Sequence, residues 1–567
     1  MGTASSLPQS RGLTHEKREE ETEKSEPPGI EDGQARPTGS SVPASPPAVV
    51  EENKWLISMA VIFGVLMSAI DSSVVNVALP QIQGNLGATQ QEVTWISTGY
   101  LISVVILMPL TNWLATRFGR KNVYLLSLVI FTASSFMCGL SGSLGTLIFW
   151  RIVQGLGAGT LQPLAQAIFR EAFPPEQQGI AMGIFGFIVL AGPAVGPTLG
   201  GWITDNFNWP WIFFINIPIG IIGFFVAMRY LHNPNYQKGG SGSKIDAVGI
   251  SLLAVGLATL QTVLEQGQED DWFDSSFIVS LTVIATVTLI GFIWWELTHD
   301  NPAVDLRILK NVTFASGTAI AAVLGVGLFS SLFLLPQFMQ ILLNFSATQS
   351  GLALMPRSLV MMVMMPVGGL LYNRLGPRLM IFIGLVMTIY SQWIMGQFTL
   401  QTGADDILIP QVIQGAGFAL VFVSLSTAAL SSIPREKMTS ATGLNNLIRQ
   451  LGGSFGTAFV VTLLTRHIAQ ARADLVTNAT AANGAFIQRV DGIVGALSSQ
   501  GYSHSTAMSA AYQMVDGLVN QQAAMLAYSY LFYWIGLLFL ACIPLLIFLK
   551  TPPKTAGAKA EVHVAAE

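Results

Sequence analysis

The 567-residue sequence predicts an all-α polytopic membrane protein of fourteen transmembrane helices: two six-helix bundles plus an inserted two-helix hairpin. Three observations carry that prediction. Apolar residues make up 51% of the chain and charged residues 11%, far below the roughly 25% charge of soluble domains. Fourteen stretches between Leu56 and Leu549 approach the roughly 20 apolar residues a helix needs to cross the hydrocarbon core. Two internal echoes, eight helices apart, mark a repeat.

The stretches run over 56–79, 94–114, 122–141, 144–166, 180–203, 210–231, 247–264, 277–296, 314–335, 349–371, 379–398, 408–432, 441–464 and 526–549. With both termini cytoplasmic, the inner loops hold thirteen Lys and Arg residues, from Arg117, Arg120 and Lys121 to Arg435 and Lys437. The six short outer loops hold none and carry acids such as Glu265, Asp270, Asp405 and Asp406. The positive-inside rule selects that orientation. Residues 1–54 are rich in Glu, Lys, Pro and Ser, lack an apolar signal region, and read as a disordered cytoplasmic tail. Residues 551–567 form a second cytoplasmic tail. Segment 465–525 is an outer loop of unusual length, either a docking element or a surface excursion; its end, from Ala507 to Met525, has helical spacing. Cys138 and Cys542 both fall in membrane windows, so no disulfide framework is implied.

The first echo pairs Asn112-Trp-Leu-Ala-Thr-Arg117-Phe-Gly119-Arg120 with Gly369-Leu-Leu-Tyr-Asn-Arg374-Leu-Gly376-Pro, and the second pairs Gln154-Gly155-Leu-Gly157 with Gln414-Gly415-Ala-Gly417. Helices 1–6 (residues 55–233) and 9–14 (312–464 with 526–550) are then homologous halves, and 234–311 carries the hairpin of helices 7 and 8. Parallel six-helix repeats with a site between them near the midplane describe the major facilitator architecture. Arg117, Arg120 and Arg374, beside Gly119 and Gly376, read either as a latch onto helix carbonyls and acids or as positive-inside anchors.

Only one acid, Asp71, lies well inside any stretch, against three arginines, Arg151, Arg357 and Arg449, and no histidine. A charge at bilayer depth costs about 2.5–3.5 kcal/mol on insertion scales, so a retained one marks function by default. This pattern points to a transporter whose coupling ion is a proton. An enzyme lacks its nucleophile-base pair or metal cluster here, and no phosphate-cradling GxxxxGK[ST] loop occurs. No cofactor and no nucleic-acid partner are expected; the proton gradient is the expected energy source.

The motifs carry a family resemblance across roughly residues 55–550. Asp71-Ser-Ser-Val-Val-Asn76-Val-Ala-Leu-Pro80, Arg151-x-x-Gln154-Gly155-x-Gly157 and Gly192-Pro193-Ala-Val-Gly196-Pro197-x-x-Gly200-Gly201 resemble signatures of the fourteen-helix drug:proton antiporters of the major facilitator superfamily. Trp209-Pro-Trp-Ile-Phe-Phe-Ile-Asn216 and Leu447-Ile-Arg449-Gln450-Leu-Gly452-Gly453 extend the match, and Lys244-Ile-Asp-Ala-Val-Gly249 resembles the EmrB type. Asn112, Thr116 and Asn373 depart from the family's Gly and Asp in the basic loops, which puts an Asp-based latch in doubt.

The resemblance implies a central cavity lined by helices one and four, with Asp71 and Arg151 within reach of each other. Desolvation favours the protonated acid and the guanidinium favours the carboxylate, so the cycle can alternate the balance; the rival reading is a static ion pair. In the helix-five motif, close packing and closure of the cavity against leak both remain open. Arg357 and Arg449 read as anion contacts or as structural arginines bonded to carbonyls. Asn76, Gln154, Asn216, Gln414, Asn445 and Asn446 add hydrogen-bonding capacity, and Met361, Met362, Met364 and Met365 an adaptable lining or plain packing. The implied function is proton-coupled export of lipophilic, neutral or weakly acidic drugs and toxic compounds from the bacterial inner membrane. The alternative is dedicated export of a single metabolite. The EmrB likeness also implies a periplasmic membrane-fusion adaptor and an outer-membrane channel as partners.

Overall fold

The structure, a computed structural model, describes residues 54–233, 246–300, 302–477, 479–480 and 483–549. The expected tails up to residue 53 and from 551 on, with Lys238 and Lys244 of the hairpin linker, lie outside the described residues. Helices α1 (Lys54–Leu86), α2 (Gln90–Phe118), α3 (Arg120–Gly139), α4 (Leu144–Ala172), α5 (Gln178–Asn206) and α6 (Trp211–Tyr230, interrupted at Ile215) form the first bundle. The hairpin is α7 (Ala247–Gln266) and α8 (Ser276–Thr298). The second bundle is α9 (Val312–Leu342), α10 (Ala347–Leu375), α11 (Pro377–Met395), α12 (Ala404–Ser431), α13 (Met438–Val476) and α15 (His504–Cys542), with α14 (Gly484–Ser499) between the last two.

Twelve of these helices are long and apolar enough to cross a membrane. Of the two bundle helices outside that count, α5 is apolar, and α4 alone is more polar, its Arg151, Gln154, Gln162, Gln166 and Arg170 lying mostly buried inside the bundle. The count of fourteen spans is consistent with this architecture.

Helix pairing repeats between the bundles. In the first, α1 packs on α4, α5 and α6, α2 on α4, and α3 on α4 and α6. In the second, α9 packs on α12, α13 and α15, α10 on α12, and α11 on α12 and α15. The bundles meet along two seams, α5 with α10 and α2 with α13. The hairpin lies along the second: α7 packs on both α2 and α13, where Gln261 donates to Ser454 at 2.8 Å and Gln266 to Thr94 at 3.3 Å.

The hairpin's base explains its motif. Asp246 caps α7 by accepting from the Gly249 amide at 2.9 Å and from the Trp295 indole at 2.9 Å. Glu296, fully buried one residue on, accepts from the Val304 amide at 3.3 Å. A methyl on Gly249 would collide with the Asp246 carboxylate and lie 2.7 Å from Glu296, so only glycine fits between the two acids.

Two expectations are corrected. Segment 465–525 is mostly helix rather than loop: α13 continues to Val476, α14 follows, and α15 begins at His504. At 39 residues each, α13 and α15 are about 58 Å long by helical rise, roughly twice the hydrocarbon core, so both project beyond it. Arg472 pairs with Asp516 at 2.8 Å across that projection, and α14 packs Val490 and Val494 against Ala507, Ala511 and Val515 of α15. Glu265, expected in a loop, sits in the last turn of α7, where its carboxylate accepts from Gln261 at 2.9 Å.

Candidate functional site

Asp71 is completely enclosed in the first bundle. Its Oδ2 accepts from Arg151 Nη1 at 2.7 Å, and its Oδ1 accepts from Gln154 Nε2 and Asn216 Nδ2, each at 2.9 Å. Four helix positions thus converge: Asp71 from α1, Arg151 and Gln154 one turn apart on α4, and Asn216 just past the break in α6. The same Arg151 nitrogen donates to Gln154 Oε1 at 2.6 Å, and Nε donates to the Ile96 carbonyl at 3.2 Å. Asn216 also donates to Ser135 Oγ at 3.0 Å, and the Tyr100 ring lies 4.1 Å from the guanidinium carbon. Three donors and one opposing charge thus compensate the carboxylate in a low-dielectric interior.

Beside this cluster lies a cavity of about 180 Å³ between the bundles. Ser68, Ala69 and Ser72 of α1 and Tyr100 of α2 form one wall, and Arg357, Met361 and Arg449 line the other. No Asp or Glu is among its described lining residues. Arg357 is buried and, among the described residues, donates to two neutral partners, Ser331 Oγ and Gln414 Oε1, each at 3.3 Å. Arg449 donates to Asn446 Oδ1 at 2.8 Å and stacks over Phe422 at 5.6 Å. Asn446 in turn donates to Gln166 of α4 at 2.7 Å, and Asn445 lines a smaller pocket with Arg449.

Both seams are closed toward the end that carries Lys54 and the basic loops. There Thr442 donates to the Pro163 carbonyl at 3.0 Å, and Arg170 to the Thr427 carbonyl at 3.0 Å. A methyl on Gly183 would lie 2.5 Å from the Met365 carbonyl oxygen, and one on Gly443 would lie 2.6 Å from that of Met108. The bundles therefore touch backbone to backbone at that end.

The family model for the Major Facilitator Superfamily matches residues 61–457. Multidrug export protein EmrB of Escherichia coli (strain K12) is 34% identical over 511 residues, 90% of this chain and 98% of that protein. EmrB of Haemophilus influenzae is 36% identical over 73% of this chain and 83% of its own. The chain belongs to the major facilitator superfamily, among the EmrB-type transporters. Fatty acid resistance protein FarB of Neisseria gonorrhoeae is 32% identical, covering 88% of this chain and 97% of that protein. Among solved structures, a double-Trp mutant of XylE aligns with TM-score 0.59 at 13% identity, over 88% of this chain and 96% of that one. The human organic anion transporter MFSD10 aligns with TM-score 0.55 at 14% identity, over 87% and 100%. These two likenesses are of fold.

In this EmrB-type chain the other singled-out residues divide by location. Gln154 and Asn216 face Asp71 rather than the cavity, Gln414 serves Arg357, and Asn76 is exposed, accepting from Ser97 Oγ at 3.0 Å. Gly192, Gly196 and Gly200 pack on Ala69, Ser73 and Val74 of α1, whereas Gly201 faces open space; the side chains of Pro193 and Pro197 lie outside the described residues. Gly119 and Gly376 adopt φ of 85° and 77° between their helices, a region that favours glycine. Arg120 pairs with Glu171 of its own bundle at 2.6 Å, while Arg117 and Arg374 are exposed. Arg378 donates to the Leu549 and Ile547 carbonyls at the end of the last span. Met361 lines the cavity, Met365 packs against Gly186 at the seam, and Met362 and Met364 are half-buried. Sequence reasoning missed Tyr100, Ser135 and Ser331. For Tyr100 the repeat held the signal: it stands 257 residues before Arg357, the same offset as Gly119 to Gly376.

Proposed function

We propose that this protein is a proton-coupled antiporter that exports lipophilic compounds, neutral or weakly acidic, by alternating access. One observation carries the reading: the buried carboxylate of Asp71, paired with Arg151 directly behind a cavity whose described lining carries two guanidiniums and no carboxylate. The carboxylate is the proton site, and Arg151, Gln154 and Asn216 hold it in the charged form. Arg357 and Arg449 favour an acidic head group over a cationic one, while Met361 and Phe329 receive its apolar part. The relatives' functions, multidrug export for EmrB and fatty acid resistance for FarB, support the same class.

In this reading the protein sits in a bacterial inner membrane with both termini cytoplasmic. The closed end is then the cytoplasmic one, and the conformer is the one from which substrate leaves outward. The helical projection of α13, α14 and α15 is the surface offered to a periplasmic membrane-fusion adaptor and its outer-membrane channel. Purified wild type and D71N in proteoliposomes, with an imposed pH gradient and a lipophilic weak acid, test the coupling. Substrate-dependent proton flux in wild type and none in D71N is expected; equal flux in both removes Asp71 from the role. Competition by unrelated lipophilic compounds separates multidrug export from export of one metabolite.

A further inference from the structure

We propose that Tyr100 is the positioning residue that makes substrate occupancy and protonation of Asp71 mutually exclusive; this rests on the antiport reading above. Substrate and proton need to sense each other across a wall, because Asp71 does not itself line the cavity. Tyr100 both lines the cavity and lies against Arg151, its ring centroid 4.1 Å from the guanidinium carbon. It is nearly fully buried, so its ring also bars water in the cavity from the ion pair.

Its place in the repeat supports this assignment. A methyl on Gly155 would lie 2.5 Å from the Tyr100 carbonyl oxygen, and a methyl on Gly415 would lie 2.5 Å from that of Arg357. Tyr100 and Arg357 are therefore mates, the position from which each bundle faces the cavity, and each leads back to a glutamine. Arg357 donates to Gln414, whereas Tyr100 stacks on Arg151, which donates to Gln154. One bundle presents its charge to the substrate directly; the other presents a ring laid over its charge.

The mechanism follows from that ring. A lipophilic substrate in the cavity packs on Tyr100 and presses it onto Arg151, so the guanidinium stays on Asp71 and the acid stays charged. When the substrate leaves, the ring is free to turn, the guanidinium can withdraw, and Asp71 takes a proton.

The test uses purified full-length protein in weakly buffered detergent, with decane-1-sulfonate as the probe. That amphiphile remains ionised throughout, so any proton released on binding comes from the protein. Binding is read by equilibrium dialysis and release by a pH dye. Wild type and Y100F are expected to release protons as the probe binds, and D71N none. Y100L is expected to bind within about fivefold of the wild-type affinity yet release at least tenfold fewer protons per bound probe. Equal release per bound probe in Y100L and wild type overturns the proposal, and so does a loss of binding in both Y100L and Y100F, which would make Tyr100 a substrate contact alone. If wild type fails to bind the probe, the anionic-substrate reading falls first and this proposal with it. If wild type binds it and D71N releases as many protons, the proton-site reading is the one that fails.

Discussion

Gly183 of α5 rests on the backbone of Met365 in α10, and 260 residues on, Gly443 of α13 rests in the same way on Met108 of α2. Both methionines precede a proline inside their helices, Pro366 and Pro109. The closed end of the transporter is thus sealed by two symmetry-related glycine crossings, one in each seam.

Replacing either glycine by alanine therefore pries that end open. The added methyl meets backbone, which no rotamer change can relieve, and overpacking of this kind costs about 1–3 kcal/mol. At about 1.4 kcal/mol per power of ten, the closed conformer loses roughly 5- to 150-fold in population. A cysteine introduced at Asn446, buried in this seam, reads the change: its alkylation should accelerate in G183A and G443A and stay unchanged in G201A, where a methyl meets open space. Equal alkylation in all three would show that the crossings do not hold the gate.

Arg151 is expected to matter more for stability than Asp71 does. R151A strands a buried carboxylate with only two neutral donors, and breaking a buried pair from one side costs about 3–5 kcal/mol. D71N leaves a neutral side chain able to keep part of the same hydrogen bonding. Thermal unfolding in detergent should therefore fall well below wild type for R151A and much less for D71N, with the D71N/R151Q double variant recovering most of the R151A loss. A double variant no more stable than R151A would mean that the arginine holds the bundle through Ile96 and Tyr100 instead.

Much of this site was legible because polarity is sparse in an apolar chain. One acid, three arginines and a handful of amides stand out, and the structure brings Asp71, Arg151, Gln154 and Asn216 together. What sequence could not supply was which way a polar side chain turns. Gln154 and Asn216 read as cavity residues, yet both spend their amides on Asp71, since a buried carboxylate takes every donor in reach. Tyr100 carried no compositional signal, being one aromatic among many in an apolar helix. Glu296 is the last residue of its apolar window, yet it is fully buried. The segment 465–525 read as a loop because it is polar, but helices that leave the membrane become polar without ending.

The hairpin's base yields a sharp contrast between two glycines. G249A forces a methyl between the carboxylates of Asp246 and Glu296, whereas a methyl on Gly291 meets only Leu252 at 3.8 Å, an ordinary contact. Glycine in a helix interior is about 0.5–1 kcal/mol less favourable than alanine. G291A should therefore be neutral or slightly stabilising, and G249A should lower the unfolding temperature and expose the hairpin to proteolysis. If G249A melts with the wild type, the two acids are farther from that helix turn than the structure has them.

Arg357 should decide charge preference without touching proton coupling. It faces the cavity with, among the described residues, Ser331 and Gln414 as hydrogen-bond partners, so an anionic head group gains a charge-assisted hydrogen bond there, worth about 1.5–3 kcal/mol. R357Q removes that charge and keeps a hydrogen-bonding side chain of related shape. Transport of a lipophilic carboxylate should then show KM raised roughly 10- to 100-fold by the tenfold-per-1.4-kcal/mol relation, while a neutral lipophile of similar size keeps its KM. Lysine is not an adequate substitute, because its point charge lacks the planar fork that matches a carboxylate in two places at once. Equal losses for the acidic and the neutral substrate would assign Arg357 to holding the bundle together rather than to reading charge.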